Sequence, residues 1–232
     1  MSGGTALSRE TRARLVEAAT RAFAADGVRN ASLLDITRRA GQRNRGAVHY
    51  HFGSRTGLLI AVLEQHADFL GVRERDLLER ARARPDDLQA AAEAVVRPVT
   101  ELAATGWSRR CFLVIVADLI AEEETAALAG VGDVLVRAGA IEVYDLLSER
   151  LAHLPAAIRE ERLVLLSSFV LRSVADRARA LDAEEQHLGV QRRPQLDEEE
   201  FVTHLVGLVV AMLQAPGPDD GTAPAPGTRP GA

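Results

Sequence analysis

The sequence predicts an all-α protein: a small N-terminal helix-turn-helix domain followed by a larger C-terminal helical domain. Three observations predict it. Apolar residues recur at three- and four-residue spacing along most of the chain, the period of one helix face. Hydrophobic residues make up 47% of the chain but aromatic residues only 4%, so the cores are built from Ala, Leu and Val, which favours helices over sheets. Charge is polarised along the chain. Residues 1–55 hold ten Arg and four acidic residues, a balance of +6, whereas the remainder holds 18 Arg and 29 acidic residues, a balance of −11. A basic block on an acidic body is expected where only the first block meets phosphate. At 232 residues the chain is long enough for one small and one larger core. All 28 basic residues are Arg, which carries no functional weight.

Residues 1–7 read as a flexible lead, and residues 8–26 as the first helix, stopped by Gly27. Leu15, Ala18, Ala19, Ala22 and Phe23 form its inward stripe; Arg9, Arg12, Arg14 and Arg21 decorate the outside, as a solvated face with some phosphate contacts among them. Residues 32–55 then read as two short helices around a tight turn. Ser32 suits an N-cap, with Asp35 three residues later in capping-box position. Leu33, Ile36 and Ala40 share a face, and Gly41 is suited to end the helix through positive φ. Asn44 is the expected cap of the next helix, Arg45 to Phe52, with Ala47, Val48 and Phe52 underneath. Arg43, Arg45, His49 and Tyr50 occupy the other side. That combination suits a major-groove reader: Arg pairs with guanine edges, Asn with adenine edges, and Tyr or His with phosphate oxygens.

Residues 11–64 resemble the DNA-binding domain of the TetR-type transcriptional regulators. The matching stretches are Ala22-Phe23-Ala24-Ala25-Asp26-Gly27, Ile36, Ala40-Gly41, Val48-His49-Tyr50-His51-Phe52, Gly53-Ser54-Arg55 and Leu58-Leu59, in that order. Three residue types depart from the usual pattern, namely Thr37, His49 and Arg55, and the segment Gln42-Arg43-Asn44 is one residue longer. The resemblance implies a homodimeric, ligand-responsive DNA-binding protein, most often a repressor, acting on double-stranded operator DNA. It makes Ser32, Arg43, Asn44, Arg45, His49, Tyr50, His51 and Arg55 the candidate DNA contacts, with Arg55 at the start of a helix whose dipole favours phosphate. It divides the chain into a DNA-binding domain, 8–55, a ligand-binding and dimerisation domain, 56–214, and a tail, 215–232.

The fourth helix begins near Arg55 behind Ser54, with Leu58, Leu59, Val62, Leu63 and Phe69 inward, and continues as a charged segment until Pro85. In the family this helix links the DNA-reading unit to the rest. A helix from Asp86-Asp87 to about Thr105 follows, kinked by Pro98. The most apolar helix spans 107–128 and ends at Glu122-Glu123-Glu124. Cys111, Val114 and Ile115 share a face with Asp118, whose carboxylate needs either an internal Arg or a ligand's donor group. Trp107 is a core plug or a pocket wall, and the Tyr144 hydroxyl faces a cavity or the surface. A helix over 133–152 carries Leu135, Val136, Ile141, Tyr144, Leu147 and Leu151. Pro155 opens a long helix to about Leu181 with Ile158, Leu165, Leu166, Phe169, Val170, Ser173 and Val174 inward. A polar loop over 182–196 precedes a final helix to about Leu213, with Phe201, Leu205, Leu208, Val209 and Met212 at helical spacing. The resemblance implies that the helices near 155–181 and 197–214 form a four-helix dimer interface. The alternative is that both merely cover their own core. The tail from Ala215, rich in Pro and Gly, is expected to be disordered.

The candidate effector residues are Trp107, Cys111, Ile115, Asp118, Tyr144 and Phe169, implying a largely apolar small molecule. Cys111 is the only cysteine, so no internal disulfide forms, and its apolar surroundings favour packing over chemistry. No catalytic, metal or cofactor site is expected. His49 and His51 lie two apart on different sides of a short helix, and His66, His153, His187 and His204 are scattered, without a phosphate-binding glycine loop. With no spanning apolar run and no signal-peptide core, no membrane partner is expected and the location is cytoplasmic. The second functional reading is a helical small-molecule-binding or scaffold protein that has lost DNA reading.

Overall fold

A computed structural model describes residues 3–121, 129–139, 141–185 and 196–217. Among them the chain forms ten α-helices: α1 (Gly3–Asp26), α2 (Leu33–Arg39), α3 (Ala47–Phe52), α4 (Arg55–Arg82), α5 (Leu88–Ala103), α6 (Trp107–Ala121), α7 (Val131–Arg137), α8 (Ile141–Arg150), α9 (Ala156–Glu185) and α10 (Glu198–Gln214). None is long and apolar enough to cross a membrane.

The N-terminal lobe is α1 to α3 with the first turns of α4. Helix α1 starts at Gly3, so much of the expected flexible lead is helical. Leu15, Ala18, Ala19, Ala22 and Phe23 are buried as the periodicity predicts, joined by Val16 and Thr20. Ser32 Oγ accepts from Asp35 N at 3.2 Å, capping α2. Its other end is a Schellman motif: Gln42 N donates to Thr37 O and Gly41 N to Arg38 O, both at 3.0 Å. Gly41 has φ +72° and nothing within 4 Å of an added Cβ, so a side chain there meets only backbone strain. Gly41→Ala is therefore expected to lower stability by about 1–2 kcal/mol, read as a lower urea midpoint with an unchanged slope.

Helix α3 begins two residues later than predicted. Asn44 Oδ1 accepts from Gly46 N at 2.9 Å, so Asn44 shapes the lead-in turn, while Gly46 occupies the cap position. Ser54 Oγ caps α4 by accepting from Gly57 N at 3.0 Å. An added Cβ on Gly57 would lie 2.0 Å from Phe52 O, which is how tightly the end of α3 sits on the start of α4.

In the larger lobe α4 packs along α5, and α9 along α6, with α10 against α5. Helix α1 also packs on α6, so the two lobes share a helix–helix contact besides α4 itself. The predicted helix over 133–152 is two helices. Gly139, at φ +99°, breaks it because its backbone lies against Glu74: an added Cβ would sit 2.4 Å from Glu74 Oε2. Helix α9 extends to Glu185, into the predicted polar loop; residues 186–195 of that loop lie outside the described residues. So do Glu122-Glu123-Glu124 with the last turns of the predicted sixth helix, and residues 218–232 of the tail. Helix α10 starts with a full capping box: Glu200 N donates to Asp197 Oδ1 at 2.8 Å and Asp197 N to Glu200 Oε2 at 3.1 Å. Five residues placed on inward stripes are exposed instead: Phe69, Val136, Ile141, Leu165 and Leu208. Phe69 and Leu208 flank the buried arcs of their helices, whereas Val136, Ile141 and Leu165 lie on the side away from them.

Candidate nucleic-acid interface and internal cavity

Helix α3 is a thin reading element with one buried side. Ala47 and Val48 are buried against the lobe, and their small volume draws the helix close to α4. Arg43, Asn44, Arg45, His49 and Tyr50 are exposed on the other side, Tyr50 at 80%. His51 is half-buried and meets the Tyr50 ring edge-on, centroids 4.9 Å apart. Phe52 closes the end of α3 with the Arg12 guanidinium 5.0 Å above its ring, so α1 braces the reading helix through a cation–π contact. Ser32 is exposed beside this surface with its oxygen engaged in the α2 cap.

Arg55 departs from expectation. Its Nη1 donates to Val28 O at 2.7 Å and to Ala31 O at 2.6 Å, tying the start of α4 to the α1–α2 loop. The residue acts as a brace inside the lobe, a role beside the phosphate contact expected of it. Sequence spacing could not show this, because the acceptors are 24 and 27 residues away.

The larger lobe encloses a cavity of about 120 Å³. Helix α4 contributes Leu70 and Glu74, α5 Val95, Pro98 and Val99, and α6 Phe112, Val116 and Ile120. Leu135, Ala138 and Gly139 come from α7 and its exit, Val143 and Tyr144 from α8, and Ser167, Val170 and Leu171 from α9. Of the six candidate effector residues only Tyr144 lines it. At α6 the cavity lining lies one residue of helix rotation from the candidate set. Phe112, Val116 and Ile120 line the cavity, whereas Ile115 is wholly buried in the general core and Cys111 and Asp118 lie on other sides. Both stripes are apolar, so spacing alone does not choose between them. Pro98 borders the cavity. Glu74 is a cavity-lining residue that the pattern did not single out. It is a carboxylate on the buried stripe formed with Leu70, Leu77, Leu78 and Ala81, a signal present in the sequence.

The cavity's polar end is a hydroxyl pair. Ser167 Oγ lies 2.8 Å from both Leu163 O and Tyr144 Oη. A carbonyl only accepts, so the Ser167 proton goes to Leu163 and Tyr144 donates to Ser167. Burial pushes the Tyr144 phenol up to about 12, which keeps it protonated and a donor. A larger groove of about 880 Å³ lies between the α4–α5 turn and α8, but it is open and flanked by Arg82, Asp86, Asp145 and Glu149. Its Arg150 is spent on the carbonyls of Ala81, Arg84 and Asp87, so it is a cleft braced by structure.

The remaining candidates have structural partners. Asp118 pairs with Arg179, Nη2 to Oδ1 at 3.3 Å, which is the internal-Arg alternative. Trp107 lies under the Arg21 guanidinium, 3.5 Å from the ring centroid, joining α6 to α1 at the lobe junction. Cys111 is half-buried there, and desolvation pushes its thiol up to about 11, so it stays a thiol. Phe169 packs partly buried against the core without lining the cavity.

His66 spans the same junction. Its Nε2 lies 3.3 Å from Ser108 Oγ and its ring meets Phe112 edge-on, centroids 5.5 Å apart. Burial, with Arg109 adding, lowers its pKa from 6.5 to about 4. The unfolded chain therefore binds this proton more readily between those values, and the His66 contribution to stability is lost as pH falls from 6.5 toward 4. Urea midpoints at pH 7 and pH 5 are expected to differ more for the native chain than for His66→Gln; equal differences would remove His66 from the account.

Residues 15–62 match the family of bacterial regulatory proteins, tetR family. The chain is 38% identical over 81 residues to the probable HTH-type transcriptional regulator ArpR of Pseudomonas putida, covering 35% of this chain and 36% of that protein. The match thus spans about a third of each chain. Across most of its length the chain has the fold of HlyIIR, a hemolysin II transcriptional regulator: TM-score 0.52, 16% identity, 87% of this chain and 97% of that one. It is similarly close to AibR, crystallised with isovaleryl coenzyme A and operator DNA: TM-score 0.51, 16% identity, 85% of this chain and 97% of that one. The N-terminal lobe of this chain thus matches the tetR-family model over residues 15–62, and the described body is helical with the fold of HlyIIR and AibR.

Proposed function

We propose that the chain is a ligand-responsive transcriptional regulator, acting as a repressor, that binds a pseudo-palindromic operator as a homodimer. The observation that carries the reading is the exposure of Arg43, Asn44, Arg45, His49 and Tyr50 around a helix whose underside is only Ala47 and Val48. A short helix so presented reaches base edges, and its flanking cations meet phosphates. The basic balance of residues 1–55 supports this; no comparable excess exists in the body. Two-fold symmetry of the protein demands two inverted half-sites about one helical turn apart. Selection from random duplexes is expected to return such inverted repeats, and enrichment of no sequence would favour the scaffold reading.

The dimer is assigned to α9 and α10. Val164 and Leu165 on α9 and Leu208 on α10 are exposed large apolar residues, on the helices that the resemblance made the interface. Leu208→Arg is expected to shift the protein to monomer in sedimentation velocity while its circular dichroism holds. A variant that stays dimeric would move the interface elsewhere.

The cavity is the proposed effector site. It is mostly apolar, with hydroxyl and carboxylate groups at its edge, the makeup of a small-molecule pocket. Helix α6 connects it to the reading lobe. One stripe of α6 lines the cavity, and its first residue, Trp107, stacks under Arg21 of α1. An effector that moves α6 or α4 thereby biases the spacing of the two reading helices. Coupling of this kind is typically about 1–3 kcal/mol, a factor of roughly 5–150 in operator affinity.

A further inference from the structure

We propose that the cavity selects a neutral molecule that brings its own hydrogen-bond donor, a compact alcohol the size of a single ring, and that the Tyr144–Ser167 pair makes the selection; this rests on the cavity being the effector site. The direction of the protons at the cavity's polar end decides it.

Three oxygens stand in a row there. Leu163 O is a helix carbonyl and only accepts, so it takes the Ser167 proton across 2.8 Å. Ser167 Oγ has one proton and has spent it; toward Tyr144 Oη, also 2.8 Å away, it can only accept. The Tyr144 proton is therefore spent as well. Burial pushes the phenol up to about 12, so the pair is uncharged and keeps both protons at neutral pH. Tyr144 and Ser167 line the cavity, and Leu163 does not. The relay thus runs away from the cavity into the backbone of α9, and what remains for the cavity is oxygen lone pairs.

The rest of the described lining supplies no donor in compensation. Its other side chains are hydrocarbon except Glu74, a carboxylate that already has a partner within the protein. Where α7 ends, the backbone donors are taken: Ala138 N donates to Val134 O at 3.0 Å and Gly139 N to Val136 O at 3.2 Å. Pro98 has no N–H to offer. A ketone, ether or carboxylate here would lose its water and set its oxygen against other oxygens, with nothing in return. A hydroxyl instead donates to the Tyr144 oxygen and leaves the relay undisturbed.

Volume sets the body of the ligand. The cavity holds about 120 Å³. An apolar protein cavity of about 150 Å³ takes up one benzene ring, so a single six-membered ring or a branched chain of similar bulk is the matching size. Phe112, Val116, Val143 and Val170, from three different helices, give such a body hydrocarbon walls. A molecule with a second ring would have to displace one of them.

Cyclohexanol and cyclohexanone share a carbon skeleton and differ in having a donor, so both are titrated calorimetrically into the full chain. The alcohol is expected to bind about tenfold tighter than the ketone, the factor expected from one buried acceptor left unpaired. Ser167→Ala releases the Tyr144 proton toward the cavity, so the ketone should gain about fivefold or more and the gap should close. A space-filling role for Ser167 would instead move both ligands together. Tyr144→Phe combined with Ser167→Ala removes both hydroxyls and keeps the ring, so the two ligands should then bind within about threefold of each other. Equal binding in the native chain, no ketone gain in Ser167→Ala, a preference that survives the double variant, or no binding by either ligand would each overturn the proposal. If the double variant does not fold, the native ranking and Ser167→Ala still decide. Operator binding is measured separately on the native chain, with and without cyclohexanol. Absence of operator binding would sink the regulator reading, and indifference of operator binding to bound cyclohexanol the effector reading; both leave the donor preference standing.

Discussion

Replacing Arg43 and Arg45 together by Ala is expected to lower operator affinity by at least about 30-fold without changing the unfolding curve. Each Arg that pairs with a base edge contributes about 1–3 kcal/mol of discrimination, and each phosphate contact adds a salt-dependent term. Both side chains are exposed on the lead-in to α3, so their loss leaves the core of the lobe intact. Asn44 between them holds the turn through its bond to Gly46 N at 2.9 Å. Asn44→Ala is therefore a different experiment, since it disturbs the approach of α3 as well as any base contact. Gel shift on the selected duplex separates the cases: the double Arg variant should lose affinity and shallow the salt dependence together. Unchanged affinity would mean that α3 does not face the groove.

The second large effect is on stability. Phe112→Ala is expected to cost about 3–5 kcal/mol, because the ring is 1% exposed and its removal leaves a void. Phe112 is a wall of the cavity and also the surface on which His66 rests, so the deletion enlarges one and loosens the other. The midpoint of thermal unfolding should fall by roughly 10 °C for a body of this size. Phe112→Leu should recover most of the loss, since a near-conservative swap refills much of the volume. The Ala variant should also accept longer-tailed ligands than the native chain. A fall of no more than a degree or two would show that the site collapses freely and that the cavity is not a fixed feature of the body.

The reading lobe was legible because its signals are local. Ser32, Gly41 and Ser54 mark helix ends by their own side-chain or backbone chemistry, and each acts there. The buried stripe of α1 follows from spacing alone. Tertiary chemistry was not legible. Arg55 looks like a free cation at a helix start, yet it closes a hydrogen-bonded loop with Val28 and Ala31, and no spacing rule connects those positions. The cavity was half legible. Its helices were predicted, but α6 is apolar on most sides, so Cys111, Ile115 and Asp118 competed evenly with Phe112, Val116 and Ile120. The role of Gly139 emerges only when Glu74, from another helix, lies against it.

The central claim is that the positive N-terminal lobe meets duplex phosphates while the acidic body does not. The salt dependence of binding to the selected duplex tests it most directly. The logarithm of the association constant is expected to fall linearly with the logarithm of salt concentration, by about 0.9 per phosphate neutralised. A slope corresponding to several contacts, reduced by the loss of Arg43 and Arg45, is the predicted result. A slope near zero, or one that the double variant leaves untouched, would contradict it.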